Sequence, residues 1–344
     1  MEQTRYDMID GLRAYSTIGI VLMHIRANGN FQIQGFVFNS MISSFTNLVF
    51  LFMIISAFSM CCGYYDRMLS GHISIQKFYS RRFGKVLPFF GLLCLLDLVM
   101  GFSKEALYEF IADITLCFGL LPNANISVIG VGWFLGVVFV FYMLFPFFCW
   151  LISTKKKALL VFGVAAVLNI VCSVYFLDES HVVDGFSARS NIVYCAVFFV
   201  LGGLIYLYRE QLCMLATRCR YCVLTEIVAV TVAYYAISSS VWTMLILFGL
   251  VLVYSLREMG GDTALQNPFT HFISDISMEI YLSHMVMYRV IDKMHLNTIL
   301  GKGWLSYIFT AATTIIAAVV FSVVCKKTLS IAEKKLREVK GSRL

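Results

Sequence analysis

The chain has 344 residues, of which 60% are hydrophobic and 14% are charged, and its net charge is +7. Soluble domains typically contain about 25% charged residues, so this composition excludes an ordinary soluble fold. A chain that lipid solvates must pair its backbone groups internally, either in helices or in a closed barrel of strands. Membrane strands are short and alternating, whereas the apolar runs here are long and unbroken, so the sequence predicts membrane-spanning helices.

Ten apolar runs are each close to the length that crosses a bilayer. In chain order they lie at about residues 12–28, 42–64, 84–102, 132–152, 158–177, 191–208, 222–238, 241–256, 272–289 and 304–325. A further stretch, 107–121, is short and carries Glu109 and Asp113. The number of spans is therefore ten or eleven, and the charges between the runs distinguish the two.

Short cytoplasmic loops carry an excess of lysine and arginine, which sets the topology. If the N-terminus is cytoplasmic and 107–121 does not cross, the basic segments all face the cytoplasm, namely 65–83, 155–157, 209–220 and the tail from residue 326. The acidic loop 178–184 then lies outside. We therefore predict an all-α, polytopic integral membrane bundle of about ten transmembrane helices with both termini cytoplasmic, in which 107–121 is interfacial or re-entrant.

The predicted membrane domain covers residues 1–325, and residues 326–344 form a basic amphipathic cytoplasmic tail. Such a tail is typical of a helix on the inner leaflet, although a solvated tail fits the pattern as well. Because basic residues collect in short loops and in the tail, we expect a partner in the lipid bilayer and not in nucleic acid. Cys219 and Cys222 form a single C-x-x-C without a second pair, so we predict no metal site.

The first run carries two ionisable residues, Arg13 and His24, which are eleven positions apart. This spacing places them on one helix face, about 16 Å apart along the axis, with Asp10 close to Arg13. Ionisable residues within a span are functional candidates, since arginine can hold an anion and a neutral imidazole can accept a proton from a hydroxyl. A snorkelling arginine and a packed histidine explain this run equally well.

Two further runs carry polar clusters. Arg81, Arg82 and Lys85 lie within about one turn of each other and suit a phosphate group, although ordinary cytoplasmic charge bias also explains them. Later in the chain Ser277, Tyr281, His284 and Tyr288 recur at helical spacing. A polar stripe of this kind must face protein or water. Interhelical hydrogen bonding accounts for Ser277 and Tyr288, while His284 fits that role and a functional role equally.

Five segments together resemble a known family. Residues 6–25, YDMIDGLRAYSTIGIVLMHI, resemble the opening of the acyltransferase-three family of membrane O-acyltransferases, in which an arginine is followed by ten residues and a histidine. Residues 50–60, FLFMIISAFSM, are similar to its second-span pattern, with Ala57 in place of a glycine. Residues 78–90, FYSRRFGKVLPFF, resemble its third-span basic motif, with Lys85 where an arginine is usual.

The remaining two segments continue the resemblance in order. Residues 131–146, VGWFLGVVFVFYMLFP, are similar to the tryptophan-to-proline span of the family, with Val138 and Phe139 where many members have a glutamate. Residues 276–291, ISMEIYLSHMVMYRVI, resemble its late serine, tyrosine and histidine motif. The matches extend over nearly the whole chain, which makes the resemblance specific.

The resemblance implies transfer of an acyl group, usually acetyl from acetyl-CoA, to a hydroxyl of a cell-envelope or exported glycan. Acetyl-CoA is then a co-substrate, with no permanently bound cofactor. Arg81, Arg82 and Lys85, together with Arg13, would hold the coenzyme phosphates at the inner face. His24 would act as the general base or carry the acyl group covalently.

Further roles follow from the same resemblance. Asp10 would orient Arg13, and Ser56, Tyr281 and His284 would line the substrate path. We expect a multi-pass protein of a bacterial cytoplasmic membrane. Because this sequence contains no esterase-like domain after the last run, we favour direct transfer to the acceptor over transfer through a separate extracytoplasmic partner.

Two other functions remain open at this point. A transporter of a glycan precursor or a small anion would also place arginine and histidine along its path, although the sequence has no evident internal repeat. A non-catalytic sensor or scaffold would keep the motifs without the chemistry.

Overall fold

Every element that the structure describes is a helix. The computed structural model describes residues 6–121, 130–177, 180–182, 187–257, 264–295 and 299–341. The helices in chain order are α1 (Met8–Asn28), α2 (Val37–Leu69), α3 (Ile75–Met100), α4 (Lys104–Ile114), α5 (Trp133–Leu151), α6 (Lys155–Phe176), α7 (Ile192–Leu207), α8 (Arg209–Arg218), α9 (Arg220–Ala236), α10 (Val241–Tyr254), α11 (Pro268–Asp275), α12 (Ser277–Asp292) and α13 (Trp304–Gly341). Of the predicted acidic loop 178–184, only 180–182 fall within these residues.

Several helices have the length and composition of membrane spans. In the described part of the chain, α2, α3, α5, α6 and α13 are long and apolar enough to cross a bilayer, and α7 with α8 makes a sixth candidate that bends by 79°. These helices show a membrane bundle. The other predicted runs also form helices, but they are shorter or more polar, so the count of ten spans stays a prediction.

The ambiguous stretch 107–121 overlaps the short helix α4, which begins before it at Lys104. This helix has 11 residues, which corresponds to about 16 Å and falls short of a hydrocarbon core about 30 Å thick. Ser103 caps it by accepting a hydrogen bond from the backbone N–H of Ala106. This length fits the interfacial or re-entrant placement better than an eleventh span.

The last helix differs in extent from the predicted segment. Residues from Trp304 to Gly341 form one uninterrupted helix of 38 residues, which includes most of the predicted tail. The expected boundary at residue 325 therefore coincides with no break in the backbone. Lys326, just past that boundary, donates a hydrogen bond to the carbonyl of Asp275 at 2.7 Å, which attaches this part of α13 to the end of α11.

Helix α1 lies at the centre of the bundle, where it packs against α2, α11, α12 and α13. Helix α2 in turn packs along α7, and Gly202 of α7 lies directly against the α2 backbone. A Cβ at this position would approach the carbonyl oxygen of Ile54 to 2.2 Å. Small residues at such contacts let membrane helices approach closely. The close fit of α2 and α7 holds one wall of the candidate site in place.

Candidate active site

The site begins near the start of α1, where Asp10 and Arg13 form an ion pair across one turn. Arg13 Nη1 donates to Asp10 Oδ1 at 3.2 Å. The other terminal nitrogen, Nη2, donates to Ser59 Oγ of α2 at 2.6 Å. The guanidinium is therefore held from two helices, which restricts its orientation without consuming all of its five N–H donors.

Asp10 connects α1 to α11 through two further contacts. His271 Nδ1 lies 3.0 Å from Asp10 Oδ2, and Ser274 Oγ donates to Asp10 Oδ1 at 2.9 Å. A carboxylate only accepts hydrogen bonds, so His271 donates from Nδ1. Both oxygens of Asp10 are thus occupied, and the carboxylate fixes the relative position of α1 and α11.

A second cationic residue, Arg82 of α3, stacks on aromatic rings. Its guanidinium carbon lies 4.5 Å from the centre of the Tyr64 ring and 5.7 Å from that of Tyr142. Cation–π contacts of this kind are favourable and leave the edge of the guanidinium available for other partners. Lys85, about one turn further along α3, lies beside Arg82 on the same cavity, whereas Arg81 is exposed and is absent from its wall.

Three cationic residues meet at a cavity of about 320 Å³. Arg13, Arg82 and Lys85 all line it, and no carboxylate lines it within the described residues. Ser56, Ser277 and Tyr281 contribute polar groups, and apolar contacts come from α2, α5 and α12. A cavity lined by three cations, one of which pairs with Asp10 outside the wall, keeps an excess of positive charge and is suited to a polyanion such as a diphosphate.

The relative direction of α1 and α12 follows from contacts at the two ends of α1. At one end Asp10 of α1 binds Ser274, which precedes α12. At the other end His24 of α1 contacts His284 of α12. Helices α1 and α12 therefore run side by side in the same direction, and the path from Arg13 to His24 covers about 16 Å of helix rise.

The two histidines form a hydrogen-bonded pair. His24 Nδ1 lies 3.0 Å from His284 Nε2, and the ring centres are 4.9 Å apart. His284 Nδ1 lies 2.6 Å from the carbonyl oxygen of Tyr281, one turn earlier in α12. His284 is completely buried, with 0% of its surface exposed, while His24 is partly exposed.

Tyr281 lies between the cavity and the histidine pair. Its ring lines the cavity and its centre is 5.9 Å from that of His284, while its hydroxyl donates to the carbonyl of Val131 at 2.9 Å. Neither histidine is among the described residues that line the cavity. The cationic groups therefore share one cavity, and the histidines lie directly beyond one of its walls.

Residues 6–323 match a protein family described as an acyltransferase domain, the acyltransferase-3 family. The chain belongs to the acyltransferase-three family. A search of curated proteins and a search of solved structures each gave no match. The match covers all five segments on which the resemblance rests, so this membrane acyltransferase carries both the cationic cavity and the histidine pair within its family domain.

The acyltransferase brings together most of the residues that its sequence singles out. Arg13, Arg82, Lys85, Ser56 and Tyr281 line one cavity, as a shared ligand site requires. Arg81 is the exception among the predicted cofactor-binding residues, because its side chain is exposed away from this wall. His24 and His284 meet each other, and Asp10 pairs with Arg13.

Sequence reasoning missed three partners in the acyltransferase, namely Ser59, His271 and Ser274. Ser59 lies one turn from Ser56 on α2, so the helical spacing of the two serines could have indicated that both face the site. No spacing relates His271 or Ser274 to Asp10, because more than 250 residues separate them. Their contact depends on how α11 packs against α1.

Arg189 is a further residue of the acyltransferase that the motifs did not indicate. Its Nη1 donates to Thr46 Oγ1 at 2.6 Å, and its guanidinium carbon lies 5.2 Å from the Phe50 ring centre and 5.9 Å from that of Trp133. It therefore connects the short helical turn before α7 to α2 and α5. Trp133 precedes Phe134, which lines the cavity, so Arg189 packs next to one of the residues that support its wall.

Proposed function

We propose that this acyltransferase moves an acyl group, in the first place acetyl, from coenzyme A to a hydroxyl of a cell-envelope or exported polysaccharide. The observation that carries the proposal is the cavity lined by Arg13, Arg82 and Lys85, which lies beside α1 and α12, the helices that carry His24 and His284. The cations would hold the coenzyme phosphates, and the thioester arm would extend past Tyr281 toward His24. The bilayer is then crossed about ten times, with the termini and the cationic end in the cytoplasm of a bacterial cell.

The proposed reaction at the histidine end accounts for every bond and proton with His24 as the acid–base group. His24 accepts the proton of the acceptor hydroxyl, and the resulting oxygen nucleophile forms a bond to the thioester carbon. The carbon–sulfur bond breaks, and the leaving thiolate takes the proton back from His24. The site ends in its initial state, with one ester and one free thiol as products.

The distance between the cationic residues and His24 favours an acyl donor with a long arm. Anion binding and proton transfer lie about three helical turns apart on α1, so one bound molecule must cover both. Coenzyme A has its phosphates at one end and its thioester at the other end of a flexible chain. A small-anion transporter would need the cationic groups but not a neutral imidazole pair at this distance.

The direct test is the His24→Ala substitution in protein purified into lipid nanodiscs. General acid–base catalysis typically contributes about 10²–10⁴-fold, so the rate of thiol release from acetyl-CoA in the presence of acceptor should fall by at least about 10²-fold. His72→Ala is a matched control, because His72 is exposed and hydrogen-bonds to Ser70 in the loop before α3.

Comparison of cell glycans by mass spectrometry provides the second readout. Cells that carry the wild-type gene should contain glycan with added acetyl groups, and cells with the His24→Ala variant should not. Turnover by His24→Ala at the wild-type rate would refute the catalytic role of this histidine. A purified wild-type protein that moves glycan across vesicles without consuming acetyl-CoA would support the transporter instead.

A further inference from the structure

A continuous chain of hydrogen bonds runs from the α12 backbone to His24. The carbonyl oxygen of Tyr281 lies 2.6 Å from His284 Nδ1, and His284 Nε2 lies 3.0 Å from His24 Nδ1. The second distance is that of an ordinary hydrogen bond, and the first is slightly shorter than the usual N–H···O range. Because the chain starts at a backbone carbonyl, the position of each proton in it follows from the chemistry of the groups.

A carbonyl oxygen only accepts, so the proton in the first bond lies on His284 Nδ1. A neutral imidazole has one N–H, which leaves His284 Nε2 with a lone pair. The proton in the second bond must then come from His24 Nδ1. His24 is therefore held as the Nδ1–H tautomer, and its Nε2 carries the lone pair.

This assignment requires that His284 is neutral, and its surroundings support that state. His284 has 0% of its surface exposed. No ion pair joins it to an aspartate or glutamate within the described part of the chain. A buried imidazolium without a counter-charge is costly, so His284 does not bind a second proton under ordinary conditions.

We propose that His284 is a positioning residue that fixes the tautomer of His24, so that Nε2 of His24 is the atom that reacts. This inference rests on the proposed acyl transfer and names the nitrogen that performs it. The requirement is the same for both chemical roles of His24. A general base and a covalent acyl carrier each need a lone pair on the reacting nitrogen, and the opposite tautomer would present an N–H there.

The kinetic test compares two substitutions of His284. Leucine removes the hydrogen-bond acceptor of His284, so His24 can exchange between its two tautomers. Glutamine offers a side-chain oxygen that can still accept from His24 Nδ1–H. We expect His284→Leu to lower kcat for acyl transfer by about tenfold, which is less than the loss in His24→Ala because part of His24 keeps the reactive tautomer. His284→Gln should keep kcat within about threefold of wild type. KM for acetyl-CoA should change by less than about twofold in both.

Ser283→Ala is the matched control for disturbance of the helix. Ser283 is the neighbouring buried residue of α12, and its hydroxyl donates to the carbonyl of Glu279 at 2.8 Å. This variant should keep wild-type kcat. A loss of kcat in Ser283→Ala equal to that in His284→Leu would show that packing of α12, and not the tautomer of His24, controls the rate.

The tautomer itself is measured by ¹⁵N solid-state NMR of histidine-labelled protein in lipid, which is practical because the chain has only six histidines. The wild-type spectrum should assign a protonated Nδ1 and an unprotonated Nε2 to His24, and His284→Leu should add a population with the proton on Nε2. A wild-type His24 with its proton on Nε2, or a slow His284→Leu variant with unchanged tautomer, would overturn the proposal. The spectrum needs no turnover, so an inactive wild-type protein with the expected spectrum would refute only the acyl transfer.

Discussion

Replacement of Arg82 by alanine tests the binding of the coenzyme at the cationic end of the cavity. Arg82 lines the cavity, and the Tyr64 ring 4.5 Å from its guanidinium carbon holds the group in place. A hydrogen bond to a charged partner typically contributes about 1.5–3 kcal/mol, which corresponds to about 10- to 150-fold in affinity. We therefore expect the dissociation constant for coenzyme A to rise by about 10- to 150-fold in Arg82→Ala.

Two further variants show which property of Arg82 matters. Arg82→Lys keeps the charge but loses the planar guanidinium that stacks on a ring and binds phosphate at two points. Its affinity for coenzyme A should therefore lie between those of wild type and Arg82→Ala. Arg81→Ala removes the adjacent guanidinium, which is exposed away from the cavity wall, and should weaken binding less than Arg82→Ala.

The measurement is isothermal titration of coenzyme A into protein in nanodiscs, with the unfolding temperature as a check on folding. Arg67→Ala is the matched control, because its guanidinium lies 5.9 Å from the same Tyr64 ring and does not line the cavity. An Arg82→Ala protein that is folded and binds coenzyme A within about twofold of wild type would refute the assignment of the phosphate site. Equal losses in Arg67→Ala and Arg82→Ala would show that Tyr64, and not the cavity, is the cause.

Two further predictions concern the supports of the site. Asp10→Asn removes the charge that pairs with Arg13, so kcat/KM for acetyl-CoA should fall by about tenfold, a loss of about 1.4 kcal/mol; an unchanged value would show that the ion pair has no role in turnover. Gly202→Ala forces a Cβ against the α2 backbone and should destabilise the fold by about 1–3 kcal/mol, seen as a lower unfolding temperature in detergent. Gly163→Ala is its control, since a Cβ there meets nothing within 4 Å, and equal effects of the two alanines would contradict the packing argument.

Hydropathy locates helices well where their ends are apolar. The run predicted at 132–152 corresponds to α5 at Trp133–Leu151, and the run at 241–256 corresponds to α10 at Val241–Tyr254. The run predicted to start at residue 84 corresponds to α3, which begins nine residues earlier, at Ile75. Ser74 caps α3 by accepting a hydrogen bond from the backbone N–H of Lys77. A polar first turn continues a helix without contributing to an apolar run, so hydropathy alone places such starts too late.

The same limit applies to the site. Spacing within one helix predicts that Arg13 and His24 share a face and that Arg82 and Lys85 share another, since both statements need only the geometry of an α-helix. The contact of His24 with His284 joins residues that are 260 positions apart. It depends on the parallel course of α1 and α12, which no local pattern in the sequence contains.

Helix α12 provides a fixed length between the two ends of the site. Ser277, Tyr281 and His284 follow one another on this single rigid element, and the seven steps from the first to the last correspond to a rise of about 10 Å. Along α1 the corresponding rise from Arg13 to His24 is about 16 Å, so a donor with its anionic group close to its reactive carbon would not reach both ends at once. In the proposed acyl transfer, the donor would therefore be selected by its length as well as by its charge, and a short thioester with the same acyl group would bind at one end only.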